Sequence, residues 1–220
     1  MKLKILCFGG RADGHFNALI SQLSSNSEVE VLDDSLQIGT NVLGHRIIGG
    51  VDKRIVPKEY IGFVLGIGDN YFREYCYSLA TNYKITPLST IHPSATISPT
   101  ATIGKCCFIG PNVNIGASVT LGDAVIINSN TTVEHDSHIH DYVHIAPGCS
   151  IAGRVTIEEY SFIGIGTSII PDIKIGSSVV IGAGSAVVDN IDKNIVAFGV
   201  KAKPRKLRES NIYSKHAKPI

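Results

Sequence analysis

The chain has 220 residues, 44% hydrophobic and 7% aromatic with no tryptophan, and carries a formal charge of +1 with a pI near 7.7. That balance makes no field for nucleic acid or a membrane surface, and no apolar run approaches the roughly 20 residues of a spanning helix. Five cysteines without metal-type spacing, and a start (MKLKILCFGG) whose apolar run is too short for a signal peptide, point to a reducing cytoplasm.

Residues 1–90 read as a small α/β unit. Lys2 to Phe8 is a buried strand, Gly9 to Gly14 a glycine loop, and His15 to Leu23 a helix with Phe16, Leu19, Ile20 and Leu23 on one face. Val29 to Leu32 makes a second strand ending in Asp33 and Asp34, Asn41 to Ile48 a small hairpin, and Phe63 to Ile67 a third strand ending at Gly68. A helix over Tyr71 to Thr81 and a strand over Lys84 to Leu88 complete the unit. Strand ends at glycines and acids are where open α/β sheets bind nucleotides, with loop amides holding phosphate and an acid accepting from ribose or base. The glycine spacing of GGRADG is wrong for a dinucleotide fingerprint, so NAD is not expected. Two readings remain: a mononucleotide or sugar-nucleotide domain, or a cap whose glycines only make turns.

From Ile91 an aliphatic residue returns at every sixth position (Ile97, Ile103, Ile109, Ile115, Leu121, Ile127, Val133, Ile139, Ile145, and on to Val187). Four places after each stands a small or β-branched residue, from Ala95 and Ala101 through Cys107, Ser137 and Cys149 to Ile191. A period of six fits neither a helix nor an isolated strand, and two columns in phase make a repeat architecture: a β-solenoid over residues 91–192 with both columns facing inward. Gly directly after the aliphatics, or Pro one place further on, marks the corners, where an unusual or pre-set φ is expected. Cys107 and Cys149 fall in the inward column, whereas Cys106 is expected as an exposed thiol.

The runs IGPNVN-IGASVT-LGDAVI and IGIGTS-IIPDIK-IGSSVV-IGAGSA resemble the hexapeptide repeats of acyltransferases. The resemblance implies a left-handed parallel β-helix, three hexapeptides to each coil, and a trimer with active sites between neighbouring prisms.

Residues 133–150, VEHDSHIHDYVHIAPGCS, set His135, His138, His140 and His144 beside Glu134, Asp136 and Asp141. With Val133, Ser137, Ile139 and Val143 facing in, the imidazoles are expected to face outward, as a site or as plain surface histidines. A neutral imidazole oriented by a carboxylate is a general base, and Asp136 is the nearest carboxylate to His135. Gly153 follows His135 by eighteen residues, one such coil above it. Its N–H is therefore a candidate oxyanion donor and its missing side chain leaves room for an acyl group, unless it is an ordinary corner glycine. His144 lies half a coil from His135, so the two meet only across a subunit interface. An unbroken repeat has no cleft of its own and points the same way, to a homotrimer with inter-subunit sites.

GGRADGH, VLDD, GIGDN with Arg73, and VEHDSHIHDYVHIAPGCSIAGRVTIEEYSFIGIGTSIIPDIKIG together resemble the sugar-nucleotide N-acetyltransferases of the PglD type and the related NeuD sialic-acid O-acetyltransferases, over nearly the whole chain. The resemblance implies a Rossmann-like sugar-nucleotide domain over 1–90, His135 as base, and Asp136 raising its basicity. It implies acetyl-coenzyme A contacts at His144, Ile165 and Ala183, and sugar-nucleotide contacts at Gly14, His15, Asp33, Asp34 and Gly68. FGVKAKPRK resembles the family's closing turn with Lys201 in place of proline, within a C-terminal closing strand and basic tail over 193–220.

Zinc is not expected. His135 and His140 share the spacing of γ-class carbonic anhydrases, but the position two coils earlier, where a third histidine would stand, is Pro99. The expected activity is acetyl-CoA-dependent N-acetylation of the 4-amino group of a nucleotide-linked amino sugar, for surface glycan or glycoprotein biosynthesis. The alternatives are sialic-acid-type O-acetylation and a non-catalytic sugar-nucleotide-binding assembly subunit. Lys193, Lys201, Lys203, Arg205, Lys206 and Arg208 either meet coenzyme A phosphates or form a solvated tail, and residues 209–220 are expected to be disordered.

Overall fold

A computed structural model describes residues 3–10, 27–52 and 60–207. In the first part of the chain β1 (Leu3–Phe8), β2 (Ser27–Leu32), β3 (Asn41–Val42), β4 (His45–Gly49) and β5 (Gly62–Leu65) form one sheet in the order β3-β4-β2-β1-β5. β1 runs parallel to β2 and β5, β2 runs parallel to β4, and β3 and β4 form the expected antiparallel hairpin. β1 from Ile5 onward and β5 after Gly62 are continuous apolar runs because both faces are covered there, whereas β2 alternates until Val31, with Glu28 exposed and Glu30 half-buried. Leu6, Phe8, Phe63 and Leu65 pack with Cys76 and Ala80 of helix α1 (Asn70–Asn82). On the other face Ile5, Cys7, Val31 and Val64 pack against Phe108 and Ile126 of the repeat region. Asp69 caps α1 by accepting from Phe72 N–H at 2.8 Å.

The helix expected over His15 to Leu23, with Gly14 and His15, lies outside the described residues. What the structure supports here is a mostly parallel sheet with one covering helix among the described residues. The strand expected over Lys84 to Leu88 is reduced to a single bridge between Phe63 and Pro87, because proline has no N–H with which to extend a ladder.

From β6 (Thr90–Ile91) to β22 (Ala186–Val187) the chain makes a two-residue strand in every hexapeptide. Each pairs in parallel with the strand one coil away, as Thr132 with Ser150 and Val133 with Ile151. Three strands therefore make a coil, and the stacked coils form a β-solenoid with an eight-stranded, a six-stranded and a five-stranded face. β23 (Ile195–Phe198) and β24 (Lys203–Leu207) close the top of the eight-stranded face as an antiparallel pair. Both columns point inward: Ile109, Ile127, Ile145 and Ile163 share one core with Val125, Val143 and Cys149. Hydroxyls in the inner column, Thr131, Ser137 and Ser161, donate to the carbonyls of Ala146, Ala152 and Gly176, which satisfies them where water does not reach. The column is not buried without exception, since Ile91 at the open base of the stack is 44% exposed.

The corners depart from the expected glycine logic. From Ile103 to Ile181 positive φ falls on the third residue after each aliphatic, and most of those residues are not glycine: Asp136 has φ 57°, Arg154 59° and Asp172 64°. The glycines directly after the aliphatics serve close stacking instead. A Cβ on Gly164 would stand 2.6 Å from the Ile181 carbonyl oxygen and 2.7 Å from Ala183 N.

Two polar side chains of α1 join the two parts. Arg73, 1% exposed, donates from Nε to the Ala124 carbonyl at 2.8 Å and from Nη2 to the Tyr142 carbonyl at 2.6 Å. Asn70 donates to the Tyr160 carbonyl at 2.9 Å and accepts from Arg73 Nη2 at 3.0 Å. Ala124, Tyr142 and Tyr160 are left-handed corner residues of successive coils, so one helix face satisfies three outward carbonyls. Burial pushes the Arg73 guanidinium down to about 10, which leaves it a cation at neutral pH. Beside it Tyr71 stacks on Tyr160 and Tyr160 on Tyr142, with centroids 4.9 and 5.4 Å apart.

All five cysteines are buried and unpaired. Cys106 is the correction: it lies under the first sheet with Phe63 and Ala124, and burial pushes its thiol well above the usual range. Among the described residues no helix is long and apolar enough to cross a membrane.

Candidate functional site

His135 occupies the corner between the six- and five-stranded faces. Its backbone is held by the coil above, where Arg154 N–H donates to the His135 carbonyl at 2.9 Å, while the side chain stays 48% exposed. Its Nδ1 lies 2.8 Å from Asp136 Oδ2. An ionised carboxylate only accepts, so this contact assigns the proton to Nδ1 and leaves the lone pair of the neutral ring on Nε2. Gly153, one coil above, is buried against that same side of the ring. A Cβ there would stand 2.6 Å from both Nε2 and Cε1. The side chain excluded at Gly153 would therefore strike the imidazole itself before it crowded any acyl group. The Gly153 N–H has no acceptor among the described residues.

His144 projects outward from the eight-stranded face as expected, but it is not a surface histidine. The first sheet and its loops cover that face, leaving His144 7% exposed with its ring edge-on to Phe162. Its Nδ1 lies 3.1 Å from the Gly68 carbonyl oxygen, which also accepts from Arg73 Nη1 at 3.1 Å. His144 and Gly68 are thus brought together, whereas His135 is on another side of the same prism. His138 and His140 are exposed on the five-stranded face, with His138 Nδ1 2.7 Å from Thr120 Oγ1. The hollow they border contains neither His135 nor His144.

Ile165 and Ala183 stand one above the other, exposed, at the corner between the eight- and six-stranded faces. Asp33 and Asp34 differ in their use. Asp33 is buried and ties loop to strand, its Oδ2 accepting from Gly10 N–H at 2.7 Å and its Oδ1 from Ser35 N–H at 2.8 Å. Asp34 is exposed and accepts from Val51 N–H at Oδ1, 2.7 Å away. In the basic tail Lys201 pairs with Asp189 at 2.6 Å. Among the described residues no group of three His, Cys, Asp or Glu could hold a metal ion.

Arg73 and Asn70, which carry the Gly68 carbonyl and the corner carbonyls, were legible only as polar residues one helical turn apart in a half-apolar helix. Nothing in that spacing says what they bind.

The family described as the GMPPB C-terminal domain matches residues 85–181. No curated protein matches the chain. Among solved structures, the acetyltransferase domain of PglB from Neisseria gonorrhoeae is 31% identical with a TM-score of 0.84, over 92% of this chain and 99% of that one. The same domain in complex with acetyl coenzyme A gives 30% and 0.85, over 93% and 100%. PerB from Caulobacter crescentus, in complex with CoA and GDP-perosamine, is 29% identical with a TM-score of 0.84, over 92% and 97%.

Proposed function

The chain belongs to the sugar N-acetyltransferases of the left-handed β-helix, hexapeptide-repeat superfamily, and from there we propose that it moves the acetyl group of acetyl-coenzyme A to the 4-amino group of a nucleotide-linked amino sugar. The observation that carries the reading is the His135 ring, with Nδ1 on Asp136 and Nε2 turned to a glycine with no room for a side chain. The amine attacks the thioester carbonyl, Nε2 takes the amine proton, and Gly153 N–H donates to the oxyanion. As the tetrahedral intermediate collapses the C–S bond breaks, and the imidazolium returns the proton to the departing thiolate. No acyl-enzyme is needed, and positioning two bound substrates supplies much of the rate.

The acetyl-CoA contacts are assigned to His144, Ile165 and Ala183, and those to the sugar nucleotide to Gly14, His15, Asp33, Asp34 and Gly68, Asp33 also shaping the loop. Residues 1–90 hold the nucleotide, 91–192 perform the transfer and 193–220 close the prism. The working form is a homotrimer. The His135 corner and the Ile165–Ala183 corner flank the six-stranded face from its two sides, and that face presents small, uncharged outward residues, Thr96, Asn114, Thr132, Ser150, Ser168 and Ala186. Three such faces turned to a common axis bring the His135 corner of one copy to the Ile165 corner, and the neighbouring His144 side, of the next. The product is an N-acetylated sugar nucleotide for glycan assembly in the cytoplasm.

The test is thiol release from acetyl-coenzyme A against a panel of nucleotide-linked sugars with and without a 4-amino group. Release confined to the amino sugars is expected. Equal release with 4-hydroxy analogues, or none with any amino sugar, would overturn the reading.

A further inference from the structure

The corner that carries His135 repeats a polar residue in successive coils: Ser118, Asp136, Arg154 and Asp172, all with φ between 57° and 64°. Arg154 therefore stands between two carboxylates, one coil below and one above. The rise from coil to coil is the same in both directions, about 4.8 Å, so its guanidinium has equal reach to either. It takes the upper one with both prongs, Nε to Asp172 Oδ1 at 2.6 Å and Nη2 to Asp172 Oδ2 at 2.8 Å. The lower carboxylate is the one bonded to His135 Nδ1. The hydrogen bonds of the upper pair hold the Asp172 carboxyl below its usual range and raise Arg154.

We propose that Asp172 is a positioning residue: by engaging Arg154 it keeps the guanidinium off Asp136 and leaves that carboxylate to orient His135. This rests on His135 being the base. A fork–fork pair occupies both oxygens of a carboxylate, so an Arg154 released downward would take Asp136 from the ring. The ring would lose its orientation and gain a neighbouring cation, which opposes the imidazolium that forms as the amine gives up its proton. The loss falls on kcat rather than KM. Besides Asp136, Arg154 and Asp172, the titratable groups flanking His135 along its own coil are Glu134 and His138, and both are the same in every variant compared.

The experiment compares D172N, R154Q, the D172N/R154Q pair and D172E, all at exposed positions where a surface pair contributes little to folding. D172N is expected to lower kcat by up to about tenfold and to move the acid limb of kcat/KM to lower pH, because a misoriented ring beside a cation is a poorer base. D172E and R154Q should stay near the parent. The pair should recover most of the lost kcat, because the arginine that steals the carboxylate is gone. An unaffected D172N, a pair as slow as D172N, or an impaired R154Q would overturn the proposal. H135A separates this from its premise: an H135A enzyme of full activity removes the base assignment itself, whereas an inactive H135A with an unrecovered pair removes only the role of Asp172.

Discussion

A single methyl group tests the narrowest point of the site. Gly153→Ala would put a Cβ 2.6 Å from Nε2 and Cε1 of His135, closer than real contacts stand, so the ring must swing off its bond to Asp136. Since the ring is half exposed it can move outward, and the fold should tolerate the change. The expected outcome is a loss of about 10²-fold or more in kcat with a thermal midpoint near the parent's, read by thiol release and calorimetry. His135→Ala should cost about 10² to 10⁴-fold in the same assay. The pairing of His135 with Gly153 was legible through the family resemblance, because the coil length that it implies turns a spacing in sequence into a distance in space. The use of Asp33 was not, since its partners Gly10 and Ser35 are chosen by how two strand ends meet.

At the scale of elements, the inward columns follow from a rule each hexapeptide obeys by itself, that one aliphatic must leave water in every short straight run. The seam between α1 and the solenoid obeys no such local rule. Arg73→Met would leave the carbonyls of Ala124 and Tyr142 buried without donors, at roughly 1 to 3 kcal/mol for each group. The first sheet should then unfold ahead of the coils. Denaturation followed by tyrosine fluorescence, which reads the Tyr71–Tyr160–Tyr142 stack, should precede loss of far-ultraviolet β signal, and coincident transitions would contradict this.

Across the whole molecule, buried acids with raised pKa values make the fold sensitive to alkali. Burial pushes Cys7 and Cys107 up to about 12 from 9.0 and Tyr142 up to about 12 from 10.0, and raises Cys106 as well. A raised folded-state value contributes stability that is whole below the unfolded value and is lost as pH rises towards the folded one. The loss therefore runs from about pH 9 to 12. Arg73, lowered to about 10, acts in the opposite sense but is one group against several. The thermal midpoint should fall steadily above pH 9, and a flat profile to pH 10.5 would show that these thiols and phenols are not closed off. Sedimentation should give a mass near three chains, and a fully active monomer would remove the inter-subunit site.

The family resemblance supplied the three-hexapeptide coil that aligns His135 with Gly153; what the sequence by itself determined is whatever recurs, the hexapeptide and the two inward columns. Burial within each short turn imposes these, and a period needs no knowledge of the rest of the chain. Only the tertiary structure decided that His144 lies covered on Gly68, that Cys106 is core, and that Arg73 closes the seam. Each of these depends on the first sheet docking on one face of the prism, through contacts such as His144 to Gly68 and Arg73 to Ala124 between residues 76 and 51 positions apart. Docking is chosen by the fit of two finished surfaces, which local patterning does not encode.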